Sequence, residues 1–361
     1  MAGTALPPGS TIGILGGGQL GRMLSLAAAR LGLKTHIYSD EGAAPAFDVA
    51  AAHTVGRYDD AEALARFAKT CAVATCEFEN VPAATLEAVA RHIPVFPQAK
   101  AFAVAQDRLI EKDFVTSLGI AVAPYAKVDT LDDLRAALSR LRTPALLKTR
   151  RFGYDGKGQI PIREASECEA ALEAIGEAPA LLEGIVAFER EISVLVVRGK
   201  DGAMHFYDPV ENVHQNGILA ISRLPARIGS ATAEEARAIA GKIAEALSYV
   251  GVLCVEMFET GDDRPRLLVN EFAPRVHNSG HWTIDACAVS QFENHVRAIC
   301  GWPLGETGRH SDAVMTNLIG PDVAKWRELA AEENTCVHLY GKTEARPGRK
   351  MGHITRLYPK T

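Results

Sequence analysis

Two glutamates, Glu256 and Glu271, carry the spacing of a paired metal site. Each sits in an apolar run, Val252-Leu253-Cys254-Val255-Glu256-Met257-Phe258 and Leu267-Leu268-Val269-Asn270-Glu271-Phe272, with Gly261, Asp262, Asp263 and Pro265 between the runs. Apolar runs around a polar, glycine- and proline-bearing turn read as a β-hairpin. A symmetric hairpin centred between Asp263 and Arg264 sets the two carboxylates opposite each other, with Cα atoms roughly 4.5 to 5.5 Å apart. Like charges so placed repel, and a hard divalent cation between them removes the repulsion; oxygen-only ligands suit Mg²⁺. The plainer alternative is a pair of solvent-facing strand residues. The residues after the second run favour chemistry: Pro274-Arg275-Val276-His277-Asn278-Ser279-Gly280-His281 delivers Arg, His, Asn and Ser at a strand end.

Other segments are suited to phosphate. Gly16, Gly18 and Gly21 open a helix after the first strand, and Asp40 comes at the distance of a dinucleotide fingerprint. Free N–H groups at such a turn accept any anion, so NAD, another phosphate ligand and a purely structural turn all remain open. Gln19 adds a side-chain amide within the turn. Lys148 ends a strand and feeds Gly153-Tyr154-Asp155-Gly156-Lys157-Gly158-Gln159, which lacks the Walker spacing yet can form a flap over polyphosphate, or simply a charged hairpin tip. Glu183-Gly184-Ile185-Val186 reads as a hinge against an adenine edge, with Glu191 placed for ribose hydroxyls. Lys342, Arg346, Arg349 and Lys350 surround Pro347-Gly348, either as a phosphomonoester clamp or as a solvated basic loop. Glu77-Phe78-Glu79-Asn80-Val81-Pro82 leaves a strand at its carboxyl end, where open α/β folds bind ligands, although Asn80 could instead cap the next helix. His36, His53, His92, His205, His295, His310 and His338 have no ligand spacing and read as packing or surface residues.

The pattern also defines the elements that must position these groups. From Thr11 to Phe96, strands (Ile12–Leu15, Lys34–Tyr38, Val73–Thr75) alternate with helices (Gln19–Leu31, Ala61–Lys69, Ala83–Ala90), which is βαβ order with a parallel sheet. A helical stretch from Lys100 to Leu118 leads to strands at Ala145–Lys148, Ile160–Ile162, Ala180–Leu182, Ile192–Val197 and Met204–Tyr207, then a helix from Thr232 to Leu247 and the glutamate hairpin. Trp302-Pro303-Leu304-Gly305 reads as a boundary before a small β-rich cap built from 313–319, 336–339 and 354–357. The expected architecture is therefore α/β: an N-terminal parallel α/β domain (1–98), a central domain (99–304) with a flap at 150–160, and a C-terminal β-rich cap (305–361).

Bulk properties limit the classes. A chain of 361 residues exceeds one ordinary core. It has no apolar run of membrane-spanning length and no signal-like start, which predicts a cytoplasmic protein. Seven cysteines without CxxC spacing argue against a disulfide framework or a structural zinc site. A net charge of −5 gives no electrostatic reason to bind nucleic acid or an anionic membrane.

Together, the strings Gly16 to Met23, Gly153 to Gln159, Asn270 to His281, Ser290-Gln291-Phe292-Glu293 and Tyr340-Gly341-Lys342 with Arg346 to Arg349 resemble the ATP-grasp superfamily, specifically its branch of ATP-dependent carboxylases of purine synthesis. The resemblance runs from Gly13 to about Ile354. It implies an ATP-grasp fold and an ATP site formed by Arg108, Lys148, Gly153 to Gln159 (Gly153, Tyr154, Asp155, Gly156, Lys157, Gly158, Gln159), Glu183, Gly184, Ile185, Val186, Glu191, His214, Asn270 and Glu271, with Mg²⁺ on Glu256 and Glu271. It further implies phosphorylation of bicarbonate by ATP to carboxyphosphate and carboxylation of 5-aminoimidazole ribonucleotide on its exocyclic amine. The ribonucleotide would meet Gln19, Leu20, Glu77, Asp155, Arg275, Lys342 and Arg349. Tyr154, Asp155, Arg275, His277 and Lys342 would be the catalytic set. Other members often carry Asn two residues after the second metal-ligating glutamate; here that residue is Ala273, as in the carboxylase branch, which leaves the third metal contact open. The competing readings are a formate-dependent glycinamide ribonucleotide transformylase with the same ATP site, a nicotinamide oxidoreductase built on the Gly16 turn, and an inactive nucleotide-binding relative. A homodimer is the default assembly.

Overall fold

The computed structural model describes residues 5–153, 158–176, 178–261 and 266–361. Three sheets organise them. The first is all-parallel, in the order β3-β2-β1-β4, from β1 (Thr11–Leu15), β2 (Lys34–Ser39), β3 (Ala52–Val55) and β4 (Val73–Cys76). Parallel strands need crossovers, and the helix Gln19–Arg30 supplies the first, presenting Leu20, Met23, Leu24, Ala27 and Ala28 to the core. Strand β3 (Ala-His-Thr-Val) is short and mostly exposed, so it lacks the buried β-branched run that would announce it.

The second sheet is antiparallel, in the order β5-β8-β6-β7, from β5 (Tyr125–Val128), β6 (Ala145–Thr149), β7 (Gln159–Ile162) and β8 (Ala180–Gly184). Helices Leu131–Leu141 and Cys168–Ala174 cover one face. The stretch read as one helix from Lys100 to Leu118 is two helices, Ala99–Ala105 and Arg108–Ser117. Asp107 divides them, because its carboxylate caps the second through Leu109 N at 3.0 Å and also takes the Arg150 fork at 3.0 and 2.7 Å.

The third sheet is the body of the molecule. It comprises β9 (Arg190–Arg198), β10 (Met204–Phe206), β11 (Val210–Gln215), β12 (Ile218–Leu224), β13 (Gly251–Glu259), β14 (Leu267–Ala273), β15 (Ser311–Ile319), β16 (Thr335–Leu339) and β17 (Lys350–Pro359), in the order β14-β13-β9-β11-β12-β15-β17-β16 with β10 beside β9. The C-terminal β-rich part is thus no free-standing layer, since β15 pairs with β12 and continues the central sheet. Its attachment returns the loop between β16 and β17 to the mouth of the N-terminal sheet. Helix Gln291–Cys300 lies between the two sheets, where His295 accepts from Val252 N at 3.1 Å through Nδ1 and meets Thr75 Oγ1 at 2.8 Å through Nε2.

A bulge shapes the hairpin. Glu256 faces Glu271 as expected, but by another route: beside the turn Met257 pairs with Val269 and Glu259 with Leu267, one residue off the symmetric register, and the extra residue Asn270 restores the glutamate pair. The bulge cancels one step of side-chain alternation, so Asn270 and Glu271 both face the cleft while Val269 and Phe272 both enter the core.

Candidate functional site

A cleft of about 880 Å³ opens where the three sheets converge. Of the residues singled out in the sequence, Gln19, Leu20, Glu77, Arg108, Lys148, Gly153, Gln159, Glu191, His214, Glu256, Asn270, Glu271, Arg275, His277, Lys342 and Arg349 line it. Gly158 and the segment Glu183, Gly184, Ile185 and Val186 are not among its lining residues. Tyr154, Asp155, Gly156 and Lys157 lie outside the described residues, so neither the flap nor two members of the expected catalytic set is placed.

At the hairpin, each carboxylate already has a counter-charge. Glu256 Oε1 lies 2.9 Å from His277 Nε2, and Glu271 Oε2 lies 3.0 Å from Arg108 Nη1. Burial opposes the ionisation of both members of the first pair. Even so, the neighbouring His277 and His214 hold Glu256 down to about 2, while Cys254 and Glu256 carry His277 up to about 10. The pair is therefore carboxylate and imidazolium. Four buried polar side chains orient the His277 ring: Ser222 Oγ donates to Asn212 Oδ1 at 2.8 Å, Asn212 Nδ2 to Ser193 Oγ at 2.9 Å, and Ser193 Oγ to Ser279 Oγ at 2.8 Å, which stands 2.9 Å from His277 Nδ1. His214 pairs with Glu191, whose carboxylate also faces the cleft; this raises the imidazole pKa against the effect of burial. Two facing carboxylates with only oxygen donors suit a hard divalent cation.

The second sheet presents Lys148. Its ammonium is buried against Glu183, which Lys112 also grips, and burial lowers its pKa. The Glu183 carboxylate, expected at an adenine edge, is instead a fastener between two lysines, kept ionised against its burial by Lys148 and Lys112. Glu111, which no sequence motif singled out, lines the cleft and accepts from Phe272 N at 2.7 Å; burial, and then the charge of Glu271, raises its pKa to about 8.

The N-terminal sheet closes the other side. Glu77 is buried, which raises its pKa, and it accepts from Gly18 N at 2.7 Å and Gly21 N at 3.2 Å, so the N–H groups of the glycine turn already have an acceptor supplied by the chain. A Cβ on Gly16 would come within 2.7 Å of the Glu77 carboxylate, which explains glycine there without a dinucleotide. That removes the physical basis for the nicotinamide reading. Glu79 takes Arg275 through Nη2 at 2.7 Å and Nε at 3.1 Å, so Arg275, expected at a bicarbonate-derived group, is braced against the N-terminal domain. Asn80 does not cap the following helix, whose N-cap is Pro82 with no side-chain bond. From the third direction Lys342, whose Nζ donates to Lys350 O at 2.8 Å, joins Arg346 and Arg349 at the cleft wall; burial and Arg349 lower its pKa to about 8.

The parallel N-terminal layer, the small antiparallel sheet over a large one and the carboxylate hairpin between them define an ATP-grasp protein. Family models agree in chain order: a ribonucleotide synthetase preATP-grasp domain matches residues 10–106, an ATP-grasp domain 113–292, and a phosphoribosylaminoimidazole carboxylase C-terminal domain 313–361. The N5-carboxyaminoimidazole ribonucleotide synthase of Brucella melitensis is 52% identical over 99% of both chains. A solved N5-carboxyaminoimidazole ribonucleotide synthetase with ADP superposes with a TM-score of 0.94 at 40% identity, covering 98% of this chain and 94% of the other. The Aspergillus clavatus enzyme, in complex with ADP and 5-aminoimidazole ribonucleotide, superposes at 0.91 with 33% identity, covering 98% and 95%. The chain belongs to the N5-carboxyaminoimidazole ribonucleotide synthase family.

Proposed function

We propose that this chain is the ATP-dependent ligase that carboxylates 5-aminoimidazole ribonucleotide with bicarbonate, forming N5-carboxyaminoimidazole ribonucleotide, ADP and phosphate in purine synthesis. The observation that carries the reading is the composition of the cleft. Carboxylates and Lys148 face it from one side, and a basic loop from the C-terminal strands faces it from the other, leaving room for a triphosphate and a phosphomonoester.

Bicarbonate is a poor electrophile. Transfer of the γ-phosphoryl of ATP to a bicarbonate oxygen releases ADP and gives carboxyphosphate, whose carboxyl carbon then carries phosphate as leaving group. Attack by the exocyclic amine forms the N–C bond, expels phosphate and loses one amine proton. Mg²⁺ on Glu256 and Glu271 would supply charge neutralisation at the phosphates. Lys148, already desolvated, faces the same negative charge, and Glu183 keeps a partner in Lys112 when Lys148 turns to a phosphate. Asn270 offers an amide beside the phosphates. Arg275 and His277 leave the strand that carries Glu271, so they are placed to orient the bicarbonate-derived group. Lys342 and Arg349 hold the ribonucleotide phosphate, with Gln19 and Leu20 at its other end. We further read the enzyme as a cytoplasmic homodimer with no nucleic-acid or membrane partner; among the described residues, no helix is long and apolar enough to cross a membrane.

The test is phosphate release from ATP and bicarbonate with and without 5-aminoimidazole ribonucleotide. Release that needs the ribonucleotide and bicarbonate supports the assignment. A requirement for formate and glycinamide ribonucleotide instead would replace it with the transformylase.

A further inference from the structure

Beside the oxygen pair at the hairpin lies a second donor set of different character. Cys254 and Glu256 alternate on β13 and so point the same way, and His277 returns over them from the loop after β14. A sulfur, a carboxylate oxygen and an imidazole nitrogen from the three lie within 4.8 Å of one another. The ring is already fixed for coordination: Nδ1 is held by Ser279, whose Oγ is 2.9 Å and whose N is 3.3 Å away, which turns Nε2 toward Glu256. Ser279 Oγ is also 3.6 Å from Cys254 Sγ, so the hydroxyl that positions the histidine also touches the thiol. A fixed ring and a hydrogen-bonded sulfur are the supporting shell that metal-binding histidines and cysteines require.

We propose that Cys254, Glu256 and His277 form a binding site for a thiophilic divalent cation of the zinc class, distinct in donors from the magnesium pair and overlapping it at Glu256. Magnesium takes oxygen and keeps its waters, so it has little use for the sulfur and nitrogen; zinc takes sulfur, nitrogen and oxygen in a tetrahedron, with the fourth position open to water or phosphate. At zinc bond lengths of roughly 2.0 to 2.3 Å the donors stand about 3.3 to 3.6 Å apart, so the Glu256–His277 pair, now at 2.9 Å, opens slightly as the ion enters between them. Coordination displaces the Nε2 proton of His277 and the thiol proton of Cys254, and both leave to solvent. A shared Glu256 makes occupation by the two metals mutually exclusive, so zinc inhibits the magnesium-dependent reaction. The affinity for zinc stands apart from the proposed function; only the inhibition rests on it.

The experiment titrates Zn²⁺ into the full chain by calorimetry and into the ATP-dependent assay at fixed Mg²⁺, with Cys254→Ser and Cys254→Ala read against their own zinc-free rates. A second cluster, Asp285, His338 and His353, offers its own ligand atoms within 4.8 Å, so His338→Gln is the control. Loss of one zinc equivalent and a rise of more than about tenfold in the inhibitory zinc concentration in both Cys254 variants, with His338→Gln unchanged, is the expected result. Co²⁺ in place of zinc should show a sulfur-to-metal charge-transfer band that Cys254→Ser removes. Inhibition within twofold of the unmodified chain in both Cys254 variants, stoichiometric zinc lost only in His338→Gln, or a cobalt adduct without the sulfur band would each overturn the proposal.

Discussion

The two ends of the cleft treat negative charge in opposite ways. At the glycine turn the acceptor is part of the chain: Glu77 is buried, accepts from Gly18 and Gly21, and leaves no room for a Cβ on Gly16. At the hairpin, Glu256 and Glu271 stand abreast on the cleft face, and each leans on one cationic side chain, His277 or Arg108. The first arrangement is closed and contributes to stability. The second is a charge pair with exchangeable partners, which is what a site that gains and loses a metal nucleotide requires. The turn that resembles a nucleotide fingerprint is therefore filled by a side chain of the chain itself, while the less conspicuous hairpin presents two carboxylates to the cleft.

Substitutions at the two ends should separate these roles. Glu271→Gln should lower magnesium-dependent turnover by roughly 10²–10³-fold with an unchanged unfolding midpoint, measured by phosphate release and chemical denaturation. Turnover near that of the unmodified chain would remove Glu271 from the metal site. Glu77→Ala should instead cost about 2 kcal/mol of stability, because two backbone N–H groups lose their acceptor, and should create no affinity for NAD. An unchanged unfolding midpoint would contradict the structural reading of the glycine turn.

Part of this contrast was legible in the sequence. That Glu256 would face Glu271 followed from assuming a symmetric turn, although the register beside the turn is one residue off that symmetry and the bulge restores the pair. The bulge itself was not anticipated, although Val269 and Phe272 bracketing two polar residues break the period of two, and that is the signal a closer reading would use. Glu111 and Lys112 looked like the polar face of an ordinary helix; both are buried because that helix packs against β14, and Glu111 lines the cleft. The link from Glu79 to Arg275 spans 196 positions, and no local pattern announces it. Strand β11 was missed because Glu211, Asn212 and His214 are polar and interrupt the apolar alternation that marks a strand, whereas the apolar run Ile218-Leu219-Ala220-Ile221 of β12 was a signal that could have been read.

The basic loop sharpens the comparison from a third side, with smaller effects. Lys342→Ala should raise the apparent KM for the ribonucleotide about tenfold or more and leave that for ATP little changed, as expected for losing one charge-assisted hydrogen bond. A change confined to the ATP constant would move Lys342 out of the ribonucleotide site. The smallest effect is on pH dependence. Burial lowers the Lys342 pKa to about 8, so the ammonium is present below that pH and is lost above it. The ribonucleotide KM should rise severalfold between pH 7 and 9, and Lys342→Arg should flatten the profile.

The central claim is that Glu256 and Glu271 jointly hold the cation that anchors the ATP phosphates. Anomalous diffraction at the manganese edge from crystals grown with Mn²⁺ and a non-hydrolysable ATP analogue tests it most directly. The account predicts a peak between the two carboxylates, beside the phosphates. Ordered nucleotide with no peak there, and with Glu256 still on His277 and Glu271 still on Arg108, would contradict it.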